Sequence, residues 1–233
     1  MSGEVEPSPP TSVADEWLRR VDAEYQSAAV VQNYTLWLIQ AGASPDLIRD
    51  GLRIVDDELV HAEMSHQVYV SAGGCEMPAI DQDNLGLRRM SEDIYEDLIR
   101  VGVQFFCLGE TIAVPLFQRM RKHTENEVAR AALDRILVDE VRHRDFGWTL
   151  LDWLLEVRPS LREPLQENLG AMFGELVANY GKVKDDNSLS ESERQWGLIS
   201  RGEYSEILER CLTRDYQPRF ERCGVQLPTG IAV

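Results

Sequence analysis

The chain has 233 residues, of which 43% are hydrophobic and 27% are charged, and this length and composition suit one globular domain with a sizeable core. Asp and Glu number 40 against 24 Lys and Arg, and the resulting net charge of -16 disfavours binding to nucleic acid or to anionic lipid surfaces. No apolar stretch approaches the roughly 20 uninterrupted residues that a membrane span requires, so we expect a soluble protein without a membrane span.

The N-terminal residues 1–12 have neither the basic start and apolar core of a secretory signal nor the Arg-rich composition of a transit peptide. We therefore expect a disordered tail and a cytoplasmic protein. The four cysteines include no Cys-x-x-Cys pair, which argues against a zinc ribbon, a rubredoxin-type iron site and a thioredoxin-like motif.

Apolar residues recur at spacings of three and four through most of the chain, which predicts helices, and no run alternates with period two for long enough to predict a strand. The four long predicted helices span residues 13–41, 45–71, 91–122 and 127–157. Ser44 and Pro45 are a typical N-cap and first-turn proline for the second helix, and Ser91 is the expected cap of the third.

Two further helices are predicted after Pro159, one reaching to about residue 183 and one over residues 203–214, and the polar segment 185–195 between them is expected to be a loop. The predicted fold is all-α: a four-helix bundle formed by residues 13–157, with additional C-terminal helices from residues 158–233 that pack on the bundle and end in a flexible terminus.

The pattern Asp-Glu-x-x-His occurs twice, at residues 57–61 on the second predicted helix and at residues 139–143 on the fourth. Because each helical residue advances by about 100°, a Glu and a His three positions apart share one face, about one turn apart, and both can reach one metal ion. One copy alone would indicate a solvated pair on an acidic helix, whereas two copies favour a metal site. The overlapping pair Glu63 and His66 lies about 140° and 80° around the helix from Glu58, so we expect it outside the site.

Glu24 and Glu110, on the first and third predicted helices, complete the candidate ligand set. Two residues of an antiparallel helical hairpin lie at equal height when the turn is midway between them. The midpoint of Glu24 and Glu58 is residue 41, at the start of the predicted turn 41–45, and that of Glu110 and Glu140 is residue 125, inside the predicted turn 123–126. The connection between the second and third helices extends to about 60 Å at roughly 3.3 Å per residue, which permits a crossover that makes these two helices parallel.

The pattern of one Glu from each of two helices and Glu-x-x-His from each of the other two resembles the ferritin-like di-iron carboxylate superfamily, over about residues 13–157. Carboxylates mixed with imidazoles suit iron or manganese, and four carboxylates neutralise two divalent cations. The resemblance implies three ligand pairs: Glu24 with His61 on one metal ion, Glu110 with His143 on the other, and Glu58 with Glu140 bridging the two. It also implies that Asp57 and Asp139 accept hydrogen bonds from ligand histidines.

Small or modest side chains one turn from these ligands predict an apolar cavity beside the metal ions, the alternative being that they only let the helices approach closely. The expected lining residues are Ser27, Ala28, Val31, Phe106, Cys107, Ala113 and Val114. Pro115 is expected to kink or widen the third helix near the site.

These features indicate a non-haem di-iron oxygenase or oxidase that uses O2 as a co-substrate to oxidise a small organic molecule. Such a reaction requires an external electron donor, for example a reductase or a ferredoxin. The alternative is a ferroxidase or peroxide-scavenging protein of the ferritin or rubrerythrin kind, although no Cys-x-x-Cys pair and a long C-terminal extension argue against it. The choice between Fe/Fe and Mn/Fe, the substrate and a homodimeric state stay open.

Overall fold

The structure is a computed structural model that describes residues 9–79, 83, 85–181 and 188–231. Every regular element within these ranges is a helix, so the prediction of an all-α fold is confirmed. Most of the expected disordered tail, part of the expected loop 185–195 and the last two residues of the chain lie outside the described residues.

Four long helices form the bundle, and the third of them has an unusual central segment. They are α1 (Thr11–Gln40), α2 (Pro45–Ser71), a third long helix made of α3 (Ile94–Gly102), a π-helical segment (Val103–Glu110) and α4 (Thr111–Lys122), and finally α5 (Glu127–Val157). Ser44 caps α2 as predicted, accepting a hydrogen bond from the Leu47 N–H. The third long helix is capped by Asp93 rather than by Ser91, because the Asp93 carboxylate accepts from the Tyr95 N–H at 2.9 Å.

The directions of the helices follow from the contacts between them. The Tyr34 hydroxyl donates to the carbonyl of Leu98, and the Tyr95 hydroxyl donates to the carbonyl of Ala41, both at 2.8 Å. Residue numbers thus rise along α1 as they fall along the third long helix, and these two helices are antiparallel. Since α1 and α2 form a hairpin, α2 and the third long helix are parallel, and the segment between them is a crossover.

The buried carboxylate of Asp97 anchors the end of this crossover. It accepts hydrogen bonds from Arg89 at 2.6 Å and from the backbone N–H groups of Met90 and Ser91. Burial would raise the pKa of Asp97, but the hydrogen bonds from Arg100 and Arg89 outweigh it and hold this pKa below its ordinary value. The crossover is therefore fastened to the start of the third long helix by an ionised side chain.

The C-terminal residues form shorter helices that pack on the third long helix and on the start of α1. They are α6 (Arg162–Tyr180), α7 (Glu191–Gln195), α8 (Arg201–Cys211), a π-helical segment (Leu212–Tyr216) and α9 (Gln217–Arg222). Trp17 donates to the carbonyl of Trp196, and Tyr216 donates to the carbonyl of Leu108. The prediction of a loop over residues 185–195 is wrong for α7, because Ser190 and Glu193 form a capping box that stabilises a short helix there.

One helix in the described part of the chain, Ile94–Lys122, is long and apolar enough to cross a membrane by length and composition. Its most apolar window has a mean hydropathy of 1.4, and 67% of that window is buried inside the protein. This is the burial of a core helix, and it results from the packing of α1, α5 and the C-terminal helices around it.

Candidate metal centre

The six candidate ligands lie together in the interior of the four-helix bundle. All six are buried, and both histidines have no exposed surface. Their ligand atoms form two groups, each with all its atoms within 4.8 Å of one another: Glu24, Glu58, His61 and Glu140 in one, and Glu58, Glu110 and His143 in the other. The structure thus contains a buried Glu/His cluster that is able to hold metal ions, with Glu58 common to both groups.

The two histidines present the same ring nitrogen to the carboxylates. The Nδ1 atom of His61 lies 3.6 Å from Glu58 Oε2, and the Nδ1 atom of His143 lies 3.2 Å from Glu58 Oε1. Glu140 repeats this arrangement, with Oε1 3.8 Å from His61 and Oε2 3.9 Å from His143. Each of these two carboxylates therefore directs one oxygen toward each histidine, which is the arrangement that a bridging ligand requires.

Four buried atoms at the centre of the cluster have no hydrogen-bond partner among the described residues. They are Glu58 Oε2, Glu140 Oε2, His61 Nδ1 and His143 Nδ1. Buried polar atoms are nearly always paired, and an unpaired one costs roughly 1–3 kcal/mol. Because all four are metal-ligand atoms that face one another, the residues fit a metal-binding role.

The Asp residue of each Asp-Glu-x-x-His copy supports the histidine of the other copy. His61 Nε2 lies 3.1 Å from Asp139 Oδ2, and His143 Nε2 lies 3.3 Å from Asp57 Oδ2. An ionised carboxylate only accepts hydrogen bonds, so each Nε2 carries the proton and donates it. The Nδ1 lone pair of each ring is then free to bind a metal ion.

Two arginines that sequence reasoning missed hold the two aspartates from the solvent side. Arg142 donates to both aspartates, at 2.9 Å to Asp57, and Arg135 donates to Asp139 at 2.5 Å and to Asp57 at 3.2 Å. Burial would raise the pKa of Asp57, but the hydrogen bonds from His143 and Arg142 lower it to about 2. The sequence contains the spacing that indicates these ion pairs, since Arg135 and Arg142 lie four residues before and three residues after Asp139 on α5.

Burial and mutual repulsion govern protonation among the ligands themselves. Burial raises the pKa of Glu24 to about 7, and burial together with the neighbouring Glu110 raises the pKa of Glu140 well above its ordinary value. Burial would lower the pKa of His61, but the carboxylates of Glu24 and Glu58, 3.8 and 3.6 Å from its Nδ1 atom, raise it to about 11. Burying four carboxylates as anions costs free energy. Bound divalent cations would neutralise their negative charge, as protons do when no metal is bound.

The π-helical segment ends at Glu110 and passes very close to α5. A Cβ atom added to Gly147 would lie 2.6 Å from Phe106 Cβ and 2.8 Å from the Phe106 carbonyl carbon, so only glycine permits this approach. The Cys107 thiol donates to the carbonyl of Gly147 at 3.2 Å. The third helix is indeed widened near the site, although the widening lies before Pro115, which is inside the regular α4.

A cavity of about 850 Å³ opens onto one side of the cluster. All four ligand carboxylates line it, whereas neither His61 nor His143 does. Its other walls come from α1, the third long helix and the C-terminal segments, and include Phe105, Phe117, Leu176, Ile199 and Tyr180. The histidines and aspartates thus support the cluster from behind, and the carboxylates face a partly open space with both apolar and charged walls.

Two of the seven expected lining residues, Ser27 and Ala113, line this cavity. The other five, Ala28, Val31, Phe106, Cys107 and Val114, are buried in the helical core instead. The widened turn explains part of this difference, because it directs Phe106 and Cys107 toward α5. Burial also raises the pKa of the Cys107 thiol well above its ordinary value, which suits a core residue.

The rival pair Glu63 and His66 lies outside the cluster, as its helical angle predicts. Glu63 is exposed, and the His66 ring lies against Tyr69 with ring centroids 5.9 Å apart. Neither residue belongs to a potential metal-binding group among the described residues.

No protein-family model matches this chain, and no curated protein matches it. The function is therefore inferred from the chemistry and geometry of the chain's own residues.

Proposed function

We propose that this protein is a non-haem di-iron oxidoreductase of the ferritin-like kind, which uses O2 to oxidise a small organic substrate bound in the cavity. The observation that carries the proposal is that a single 850 Å³ cavity ends on four buried carboxylates backed by two histidines. This volume lies within the range of about 300–1,000 Å³ that is typical of small-molecule sites.

The donor set supports iron, or iron with manganese. Carboxylate and imidazole ligands suit these metals, whereas structural zinc sites have four ligands and are commonly rich in cysteine. Glu24 with His61 and Glu110 with His143 would each hold one ion, and Glu58 and Glu140 would bridge them. The direction of one Glu58 oxygen and one Glu140 oxygen toward each histidine supports this assignment.

Two iron ions bound there would supply the reducing electrons for O2 and the oxidising power for the substrate. The chain's own residues prepare the site for this chemistry. Asp57 and Asp139 hold the imidazoles in the tautomer that leaves Nδ1 free, and Arg135 and Arg142 keep both aspartates ionised. The C-terminal segments contribute Leu176, Tyr180 and Ile199 to the cavity wall and limit the access of water from that side.

An organic substrate is favoured over iron itself by the lining of the cavity. Phe105, Phe117 and Leu116 face the space beside the carboxylates, and such side chains bind apolar molecules rather than hydrated cations. A ferroxidase or a peroxide-scavenging protein would have no use for a cavity of this size and character. As part of the same proposal, we expect a cytoplasmic enzyme that receives electrons from a separate reductase or ferredoxin.

The test is to mix anaerobically reduced, iron-loaded protein with O2 and a panel of apolar organic compounds, and to analyse the products by mass spectrometry. We expect oxygen insertion or loss of hydrogen in at least one compound, and O2 uptake that this compound accelerates. The Glu140→Ala variant should lose both effects, whereas Glu63→Ala on the exposed face of α2 should retain them. Mineralisation of excess iron by a large assembly, with no organic product, would contradict the proposal and support iron storage.

A further inference from the structure

A buried arginine, Arg20, lines the same cavity one helical turn before Glu24. Its side chain is 6% exposed, and its guanidinium group lies over the Trp17 ring, 4.3 Å from the ring centroid. Nε donates to Glu16 at 3.1 Å, and Nη2 is near the Met120 sulfur at 3.3 Å and donates to the carbonyl of Gly197 at 3.2 Å. Arginine is rarely buried, so the position of this charge requires an explanation.

The third nitrogen of this guanidinium group has no partner. Nη1 of Arg20 is buried and makes no hydrogen bond with any described residue. A buried charged donor without an acceptor is costly, and a planar guanidinium group is the side chain best suited to a carboxylate. An anionic group in the cavity that Arg20 lines would supply the missing acceptor.

The cavity is lined by several charged side chains besides Arg20. They are the arginines Arg19, Arg100 and Arg201, Glu16, and the four candidate ligand glutamates. Arg19 makes two hydrogen bonds to Glu16, which also accepts from Arg20, while Arg201 donates to the carbonyl of Asn179. When two divalent cations neutralise the four candidate ligand glutamates, the four arginines face Glu16 as the remaining carboxylate of the lining, and the resulting positive charge would attract anions to the cavity.

The position of Arg20 relative to the ligands defines the kind of molecule that fits. Arg20 precedes Glu24 by one turn, and its guanidinium group bonds to Glu16 a further turn away, so it lies about 6–12 Å along α1 from the ligand level. Between the two ends, Ala23, Ala113 and Leu116 line the space. A molecule that spans this distance is apolar along its length and anionic at one end.

We propose that the substrate is an organic acid with an apolar chain, whose carboxylate binds Arg20 while a carbon several bonds away lies beside the ligand carboxylates. That the acid is a substrate rests on the proposed function, whereas the binding of an organic acid is inferred from Arg20 and the cavity alone. The competing explanation is structural: Arg20 only fastens the segment around Gly197 to α1.

Calorimetric titration with octanoate, octan-1-ol and acetate separates these explanations. We expect octanoate to bind about tenfold or more tightly than octan-1-ol, because a buried charge-assisted hydrogen bond is involved, and acetate to bind weakly for lack of apolar contact. Arg20→Gln should abolish the preference for octanoate and leave the affinity for octan-1-ol unchanged, and Arg20→Lys should retain part of the preference. Arg49→Gln, an exposed arginine of α2 paired with Asp46, is the matched control and should behave like the natural chain.

Each titration is repeated on iron-loaded protein under anaerobic conditions and on chelator-treated protein, with helicity followed by circular dichroism.

Equal affinity of the natural chain for octanoate and octan-1-ol would overturn the inference, as would a loss of both affinities together in a folded Arg20→Gln variant. Octanoate binding that disappears on chelation yet survives Arg20→Gln would place the acid on the metal and also overturn it. If Arg20→Gln does not fold, Arg201→Gln, at an exposed arginine that also lines the cavity, must still weaken octanoate binding selectively. A chain that shows the predicted octanoate preference but holds no iron would refute the proposed function and leave the acid site standing.

Discussion

The two helical hairpins carry the same ligand set but present it on different backbones. In the first hairpin, Glu24 lies on a regular helix, α1, opposite the Glu-x-x-His of α2. In the second, Glu110 ends the π-helical segment of the third long helix, opposite the Glu-x-x-His of α5. Similar ligand chemistry therefore does not require identical helix geometry.

The π-helical segment is the place where the second hairpin departs from the geometry of the first. The π-helical segment brings Phe106 against Gly147 of α5 and turns the Leu108 carbonyl toward Tyr216 of the C-terminal segment, and neither contact involves the first hairpin. The C-terminal helices pack on the second hairpin and complete the cavity. Both hairpins therefore supply candidate ligands and cavity walls, and only the second does so with a π-helical segment.

The largest expected effect concerns Asp57 and Asp139, each of which contacts the histidine of the other hairpin. Replacing them tests whether the two halves of the metal site depend on each other through these crossed contacts. Asp57→Asn should lower iron affinity about 10–100-fold, because a neutral amide replaces the carboxylate that orients His143 through its Nε2 proton, and Asp139→Asn should do the same through His61. Iron titration with a competing chelator measures this. The exposed neighbour Asp56→Asn should have no effect, and an equal loss in that control would show that the crossed contacts are not the cause.

A second test compares one glycine from each hairpin. Gly147→Ala should destabilise the protein by about 1–3 kcal/mol, because its Cβ would collide with the Phe106 backbone. Gly51→Ala should cost less, since its close neighbour is the Thr35 side chain and not the backbone, so rotation of that side chain, with loss of its hydrogen bond to the Val31 carbonyl, would relieve the contact. Urea unfolding of both variants gives the comparison, and equal losses would argue against a special close approach in the second hairpin.

A smaller effect is expected from the hydrogen bond that Tyr216 makes to the π-helical segment. Tyr216→Phe should lower the free energy of unfolding by about 1 kcal/mol, because the buried Leu108 carbonyl loses its donor. Tyr95→Phe removes a similar bond to Ala41, next to the first hairpin's turn, and serves as the comparison. If Tyr216→Phe leaves stability unchanged, the C-terminal helices do not stabilise the widened turn through this bond.

The smallest effect concerns pH and the attachment of α8 to the third long helix. Burial would raise the pKa of Glu203, but hydrogen bonds from Ser200, Arg119 and Arg194 lower it from 4.5 to about 2. A depressed pKa stabilises the folded state above the unfolded value, so this contribution should be lost as the pH falls from about 4.5 to 2. Thermal melts across this range should show a weaker acid dependence for Glu203→Gln than for the natural chain, and no change for the exposed Glu167→Gln. An unaltered acid dependence in Glu203→Gln would contradict the assignment.

Much of the cluster was accessible from the sequence because it depends on helix periodicity and turn position. The duplicated Asp-Glu-x-x-His pattern and the turn midpoints identified residues that the structure brings together, including Glu24 and Glu110, which have no motif of their own. The cavity lining was less accessible, because a π-helical turn rotates every later side chain and moves Phe106 and Cys107 to the core. Arg20 was missed because its significance comes from burial and from an unpartnered nitrogen, and neither is visible in a sequence.

Iron stoichiometry tests the central claim most directly. Protein reconstituted anaerobically with Fe(II) and freed of excess metal should retain about two iron ions per chain, as the ligand set of four glutamates and two histidines requires. Glu58→Ala and Glu140→Ala should each lower this number, because both ions share these carboxylates, and Glu63→Ala should leave it unchanged. Retention of fewer than one iron ion per chain, or of two ions in all three variants, would contradict a di-iron centre at this cluster.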